Sequence, residues 1–260
     1  SWRTSSFLLF LGSAGRRLKS RKSRAPRHFS YGAGMERRWV EQVMGLPVSL
    51  LARGVDPDVA VEAFYAELRW VDAVFSPYQE DSEVSRVARG ELALADAHPL
   101  VQHVARRCEE ERERTGGLFD PTRPDGRWDP SGFVKGWAVE RASRLLPEGP
   151  DWCVNAGGDI VVRCPSGEPF RVGVEDPRDR SRLVAVVPLS SGGLATSGTA
   201  ARGEHLYDPR SGTAATALAS LTVVAPTLEQ ADVLATAAFV DGGLRLVVEA
   251  RRLGRPMLVA

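Results

Sequence analysis

Apolar residues recur at helical spacing over three stretches of the chain. Ala60, Ala63, Phe64, Leu68, Val71 and Phe75 fall on one face of a helix, and that stripe reads as core. Asp56 is a natural N-cap for this helix and Pro57 suits its first position. A second helix starts near Pro99, carries Leu100, Val101, Val104, Ala105 and Cys108 on one face, and stops at Gly116 and Gly117. A third begins at Ser131 and runs through Val134, Trp137, Ala138, Arg141 and Leu145. The pattern then changes. WCVN, DIVVRC, FRVGVE and LVAVVPL read as short strands separated by Gly, Pro, Ser and Asp. The earlier run VEQVMGLPVSLL, Val40 to Leu51, reads as one strand bent at Gly45 and Pro47. LASLTVVAP is a buried-looking strand, and Thr227 to Gln230 forms a capping-box pattern opening a helix through Phe239. Helices and strands are grouped rather than alternating, which predicts an α+β class over a doubly wound sheet.

Composition supports a packed core. The 260 residues are 43% hydrophobic and 26% charged, close to the globular average, so one large domain or two subdomains sharing a core is expected. The net charge of +1 conceals an asymmetry. Arg3, Arg16, Arg17, Lys19, Arg21, Lys22, Arg24 and Arg27 lie ahead of Met35 with no acid among them, so the remainder is acidic. Residues 1–34 are therefore set aside as a disordered leader or extension, and residues 35–260 are taken as a single domain. An acidic body argues against nucleic-acid binding as the main role. The run Phe7 to Leu11 is too short for a signal-peptide core, and no stretch approaches membrane-spanning length. The three cysteines, Cys108, Cys153 and Cys164, show no CxxC or zinc spacing, which predicts a reducing, cytoplasmic setting. No GxGxxG follows a strand and GxxxxGK[ST] is absent, which leaves dinucleotide redox and P-loop chemistry without an anchor.

The candidate chemistry lies in segments rich in small, acidic and hydroxyl residues, read as loops: TGGLFDPT, DPSGFVKGW, NAGGDI, GVEDPRD, LATSG and GEHLYDPRSG. Asp232 and Thr236 lie four apart on a predicted helix, so their oxygens project from one face and could hold one hard cation. Magnesium suits such a pair because it prefers oxygen ligands and completes its shell with water and substrate phosphates. The competing reading is a carboxylate and a hydroxyl on a solvated helix face. Of four histidines, His28 falls in the leader, and His98 and His103 belong to an amphipathic helix. His205 stands apart, among turn residues ahead of LYDPRSG.

Taken in order, MGLPVSL, FSPYQEDSEVSRV, TGGLFDPT, DPSGFVKGWAVERA, VNAGGDI, GVEDPRD, ATSG, HLYDPRSG and ADVLATAAF resemble the ApbE family of FAD:protein FMN transferases across roughly Val40 to Val240. The resemblance implies an ApbE-like, T-fold-related arrangement of mixed or antiparallel sheets with packed helices, and an FAD site between subdomains. It implies magnesium held by Asp232, Thr236 and the backbone carbonyl of Gly132, where a residue without Cβ lets the main chain approach an ion. Lys135 would neutralise a pyrophosphate oxygen near the same helix end, against the plainer reading of a surface lysine. Met44 and Tyr78 would contact the flavin, and Leu118, Phe119 and Asp120 would line the FAD site. His205 matches the histidine of the family's HxxDP segment, where it would bind FAD or accept a hydroxyl proton.

The implied reaction is magnesium-dependent transfer of FMN from FAD to a Ser or Thr hydroxyl of an acceptor flavoprotein, with AMP departing. Two alternatives remain: an FAD pyrophosphatase that uses water as nucleophile, and a non-catalytic FAD carrier. Many relatives carry a secretion signal with a lipid-modified cysteine. None is read here, which favours a cytoplasmic acceptor.

Overall fold

The computed structural model describes residues 9–10, 36–54, 58–198, 206–243 and 257–259. Twelve strands and five α-helices lie within them. The order is β1 (Leu9–Phe10), β2 (Glu36–Val43), β3 (Leu46–Arg53), α1 (Asp58–Phe75), α2 (Glu83–Ala88), α3 (Pro99–Arg114) and α4 (Ser131–Ser143). There follow β4 (Asp151–Ala156), β5 (Asp159–Arg163), β6 (Phe170–Glu175), β7 (Leu183–Leu189), β8 (Ser191–Gly198), β9 (Tyr207–Asp208), β10 (Thr213–Ala214), β11 (Ser220–Ala225), α5 (Leu228–Val240) and β12 (Met257–Val259). The grouped order and antiparallel pairing make the α+β class expected from the sequence.

A seven-stranded sheet in the order β12-β11-β8-β5-β4-β3-β2 forms the centre, and a three-stranded sheet, β1-β6-β7, accompanies it. The pleat sorts the central strands' side chains by parity. On one face Val48, Leu50, Val154, Val161, Ala195 and Leu221 join the helices in the main core. On the other face Leu51, Cys153, Ile160, Val162 and Leu194 meet Phe170, Val172 and Leu189 of the small sheet. The central sheet thus separates a helical layer from a second sheet. All three cysteines are buried and free. No helix among the described residues is long and apolar enough to cross a membrane.

Helix α1 leaves Ala60 half-buried and Ala63 exposed at the margin of the predicted stripe but buries its large residues, with Phe64, Leu68 and Val71 fully enclosed and Phe75 buried. Each such side chain contributes about 1.5–3 kcal/mol on burial. Its proposed start, Asp56 and Pro57, lies outside the described residues. Helix α3 begins at Pro99 as expected, with His98 serving as N-cap through Nδ1, which accepts from the Leu100 N–H at 3.2 Å. Helix α4 starts at Ser131 as expected and buries most of its residues, because it packs between α1 and α5.

Three expectations need correction. The run from Val40 to Leu51 is two strands, because Met44 and Gly45 both adopt positive φ (55° and 71°) and form a two-residue hairpin turn between the paired Val43 and Leu46. LATSG is part of β8, inside the central sheet, and the described part of HLYDPRSG carries β9 and the turn into β10. Only half of the capping box on α5 forms. Thr227 accepts from the Gln230 N–H at 3.2 Å, but Gln230 Oε1 is buried without a hydrogen-bond partner among the described residues.

Candidate active site between α4, α5 and the sheet

Two glycines let α5 settle against its neighbours. A Cβ on Gly193 of β8 would lie 2.4 Å from Leu228 Cα, and one on Gly136 of α4 would lie 2.9 Å from Asp232 Cβ. The close approach draws Asp232 into the contact between the helices, where it is 3% exposed. Its Oδ2 accepts from the Gly136 backbone N–H at 3.0 Å, and its Oδ1 lies 3.3 Å from Lys135 Nζ.

Lys135 is shared. Its ammonium also forms an ion pair with Asp159, which opens β5 directly after the β4–β5 turn and is almost fully buried. Asp159 Oδ1 in turn accepts from the Thr196 N–H of β8 at 3.2 Å. Two buried carboxylates therefore face one ammonium. Burial raises the Asp232 carboxyl to about 7, Lys135 opposes that rise, and the Asp159 charge adds to it. Among the described residues the cluster is short of positive charge.

The cluster opens into a cavity of about 530 Å³. Leu118, Phe119, Asp120, Gly132, Lys135, Asp232 and Thr236 all line it, so seven of the ten residues singled out from the sequence meet at one place. Asp120 anchors the turn after α3 by accepting from the Thr122 N–H at 2.7 Å. Thr236 stands one turn after Asp232 on α5, as the four-residue spacing requires. Gly132 sits in the first turn of α4, and a Cβ there would meet only Phe119 Cε2, at an ordinary 3.5 Å.

Two sequence-derived candidates lie elsewhere, and a third lies outside the described residues. Met44 occupies the β2–β3 turn, packed against the main core, and is not part of the cavity lining. Tyr78, in the connection between α1 and α2, is 91% exposed and also absent from the lining. His205 lies outside the described residues, one position before the cavity-lining Leu206.

The structure adds residues that were not singled out. Asp159 is the principal one, and its signal in the sequence is an acid placed after Gly157 and Gly158 at the head of an apolar strand. Tyr207 lines the cavity and donates its hydroxyl to the Thr122 carbonyl at 3.0 Å, which ties β9 to the loop after α3. Burial, then the charges of Asp120 and Asp129, push this phenol up to about 12. Arg123 and Arg180 also reach the cavity, each paired with an acid: Arg123 Nη1 with Asp129 at 3.4 Å and Arg180 Nε with Glu175 at 3.0 Å.

The fold is one already seen in solved structures. The ApbE protein of Thermotoga maritima superposes with a TM-score of 0.78 at 22% identity, covering 86% of this chain and 94% of that one. The flavin transferase ApbE of Vibrio cholerae gives 0.74 at 20% identity, covering 87% and 94%. The ApbE family model matches residues 44–125 and 123–253, and the chain belongs to the ApbE family.

Among curated relatives, the FAD:protein FMN transferase of Klebsiella pneumoniae (strain 342) is 36% identical over 155 residues, 54% of this chain and 43% of that protein. The protein of the same name from Salmonella typhimurium is 33% identical over 157 residues, 55% of this chain and 45% of that one. The matched stretch spans less than half the length of either relative.

Proposed function

We propose that the cavity binds FAD together with magnesium and that the chain transfers FMN from FAD to a Ser or Thr hydroxyl of an acceptor protein. The observation that carries this reading is the meeting of Gly132, Lys135, Asp232 and Thr236, from two helices far apart in sequence, beside Leu118, Phe119 and Asp120. The names of the curated relatives support the same reaction.

The donor set fits a hard cation. One carboxylate, one hydroxyl and one main-chain carbonyl offer oxygen alone, and magnesium takes its remaining ligands from water and substrate phosphates. Among the described residues no group of three His, Cys, Asp or Glu side chains gathers to hold a metal without such help. Charge argues the same way. Among the described residues Asp120, Asp125, Asp129, Glu175, Asp176 and Asp232 line the cavity against three cationic side chains, Arg123, Lys135 and Arg180. An anionic dinucleotide would be repelled by such walls without a cation to offset them. When bound, magnesium would stabilise the charge that develops on the pyrophosphate oxygens.

The chain's own residues would do the rest by position. Leu118 and Phe119 offer an apolar wall, and the Tyr207–Thr122 bond ties β9 to the loop that carries them. Lys135, at the cavity edge of its ion-pair cluster, would draw a phosphate oxygen toward α4. The acceptor hydroxyl oxygen would bond to the FMN-side phosphorus as the P–O bond to the AMP oxygen breaks. His205 would accept the hydroxyl proton, a role that contributes about 10²–10⁴-fold in such reactions. Met44 and Tyr78 would contact the flavin from outside the cavity lining.

The test is incubation with FAD, magnesium and an authenticated acceptor, followed by intact-mass measurement. One FMN unit added to the acceptor, with AMP released and both lost in Asp232→Ala, is the expected result. AMP and free FMN without labelling would assign a hydrolase, and FAD binding without turnover would assign a carrier.

A further inference from the structure

Lys135 lies between two buried carboxylates but is not shared equally. Its tighter ion pair is with Asp159, and Asp232 Oδ1 stands off at 3.3 Å. Asp159 is 1% exposed, fixed in β5 and held by the Thr196 N–H. Its carboxylate cannot turn to water, and a buried charge left unpaired is strongly destabilising. Lys135 is therefore the counter-ion that Asp159 requires. Asp232 has other support: its Oδ2 already accepts from Gly136, and the residue lines the cavity.

We infer that Asp159 is a positioning residue: it holds the Lys135 ammonium off Asp232, so that the Asp232 carboxylate stays available to a divalent cation. The inference rests on the cation reading of Asp232 given above. Without Asp159, the carboxylate left beside Lys135 among the described residues is that of Asp232, and the ammonium takes the oxygen that the cation needs. Asp159 acts on the cation through Lys135, and its removal weakens binding by leaving a competing ammonium at the site. Two other roles for Asp159 make different predictions. As a direct ligand, its loss would weaken binding whether or not Lys135 is present. As a purely structural ion-pair partner, its loss would leave the affinity of the folded protein unchanged.

The experiment measures Mn²⁺ binding to the full chain at pH 8 by the loss of the free-ion electron paramagnetic resonance signal, without FAD and without turnover. Asp159→Asn should weaken Mn²⁺ binding by on the order of tenfold, the scale of one unscreened charge a few ångströms away. Adding Lys135→Met to that variant should restore binding to within about threefold of the unsubstituted chain, because the competing ammonium is gone and the net charge of the cluster is back where it began. The double variant also removes the buried ion pair as a unit, so it stays informative if Asp159→Asn alone does not fold. Binding that depends on Asp232 but is unchanged by Asp159→Asn, or that stays weak in the double variant, overturns this inference alone. A chain that binds no Mn²⁺, or binds it equally well after Asp232→Asn, overturns the cation reading and this inference with it.

Discussion

The backbone N–H of Gly136 donates to Oδ2 of Asp232 at 3.0 Å across the α4–α5 contact, and a methyl group on Gly136 would fall 2.9 Å from the Cβ of the same aspartate. An α-helix assigns the amide of residue 136 to the carbonyl of residue 132. One amide thus stands between two of the proposed cation ligands.

Gly136→Ala should therefore do two things. Forcing a methyl group into a packed contact destabilises by about 1–3 kcal/mol, which urea denaturation would read as a lower midpoint. The displaced Asp232 should also weaken Mn²⁺ binding in the fraction that folds. Unchanged stability together with unchanged Mn²⁺ binding would mean that the helices are not packed as described.

The Asp232 carboxyl gives stability a pH signature. Burial, reinforced by Asp159, keeps it protonated to about 7, whereas in an unfolded chain it ionises near about 4. Between those values the folded state binds more protons than the unfolded state, so this group makes stability fall as pH rises through the window, and the loss is complete above it. Asp232→Asn should flatten that fall. Urea midpoints measured across the window, without divalent cations, would show it; an equal slope in the variant would assign the effect elsewhere.

At the start of α5, Thr227→Ala should cost about 1 kcal/mol, because it removes the acceptor for the Gln230 N–H. Gln230→Ala should change stability by less than about 0.5 kcal/mol, because the reciprocal half of the capping box is not made. Thermal or chemical denaturation of the two variants side by side checks the asymmetry. A larger loss from Gln230→Ala would show that its side chain does return to the cap.

What could be read from the sequence was what local rules govern. The large residues of the α1 stripe, the start of α4 at Ser131 and the Asp232–Thr236 spacing follow from local helix rules, and the structure reproduces each, with Ala63 exposed at the edge of the stripe. The β2–β3 turn was hidden because Met44, a poor candidate for positive φ, occupies a position that Asn or Asp usually fills. Strand β8 was hidden because SGGLATSG is nearly devoid of large side chains. Its small residues answer to the helix packed over them, as the Gly193 contact with Leu228 shows, rather than to β propensity. Asp159 was hidden for another reason: its significance lies in an ion pair with Lys135, 24 positions earlier, which only the packing of α4 against β5 brings together. Gly132 is reached through family resemblance, since a glycine in a helix carries no local mark of its role, and Lys135 through its place three residues on, near the same helix end.

The most direct measurement is anomalous diffraction from a crystal soaked with Mn²⁺ and FAD. The account predicts one manganese peak in the cavity, with Asp232, Thr236 and the Gly132 carbonyl as its protein ligands and the FAD pyrophosphate completing the shell. FAD bound in the cavity with no manganese beside those three residues, or manganese and FAD bound at separate places, would contradict it.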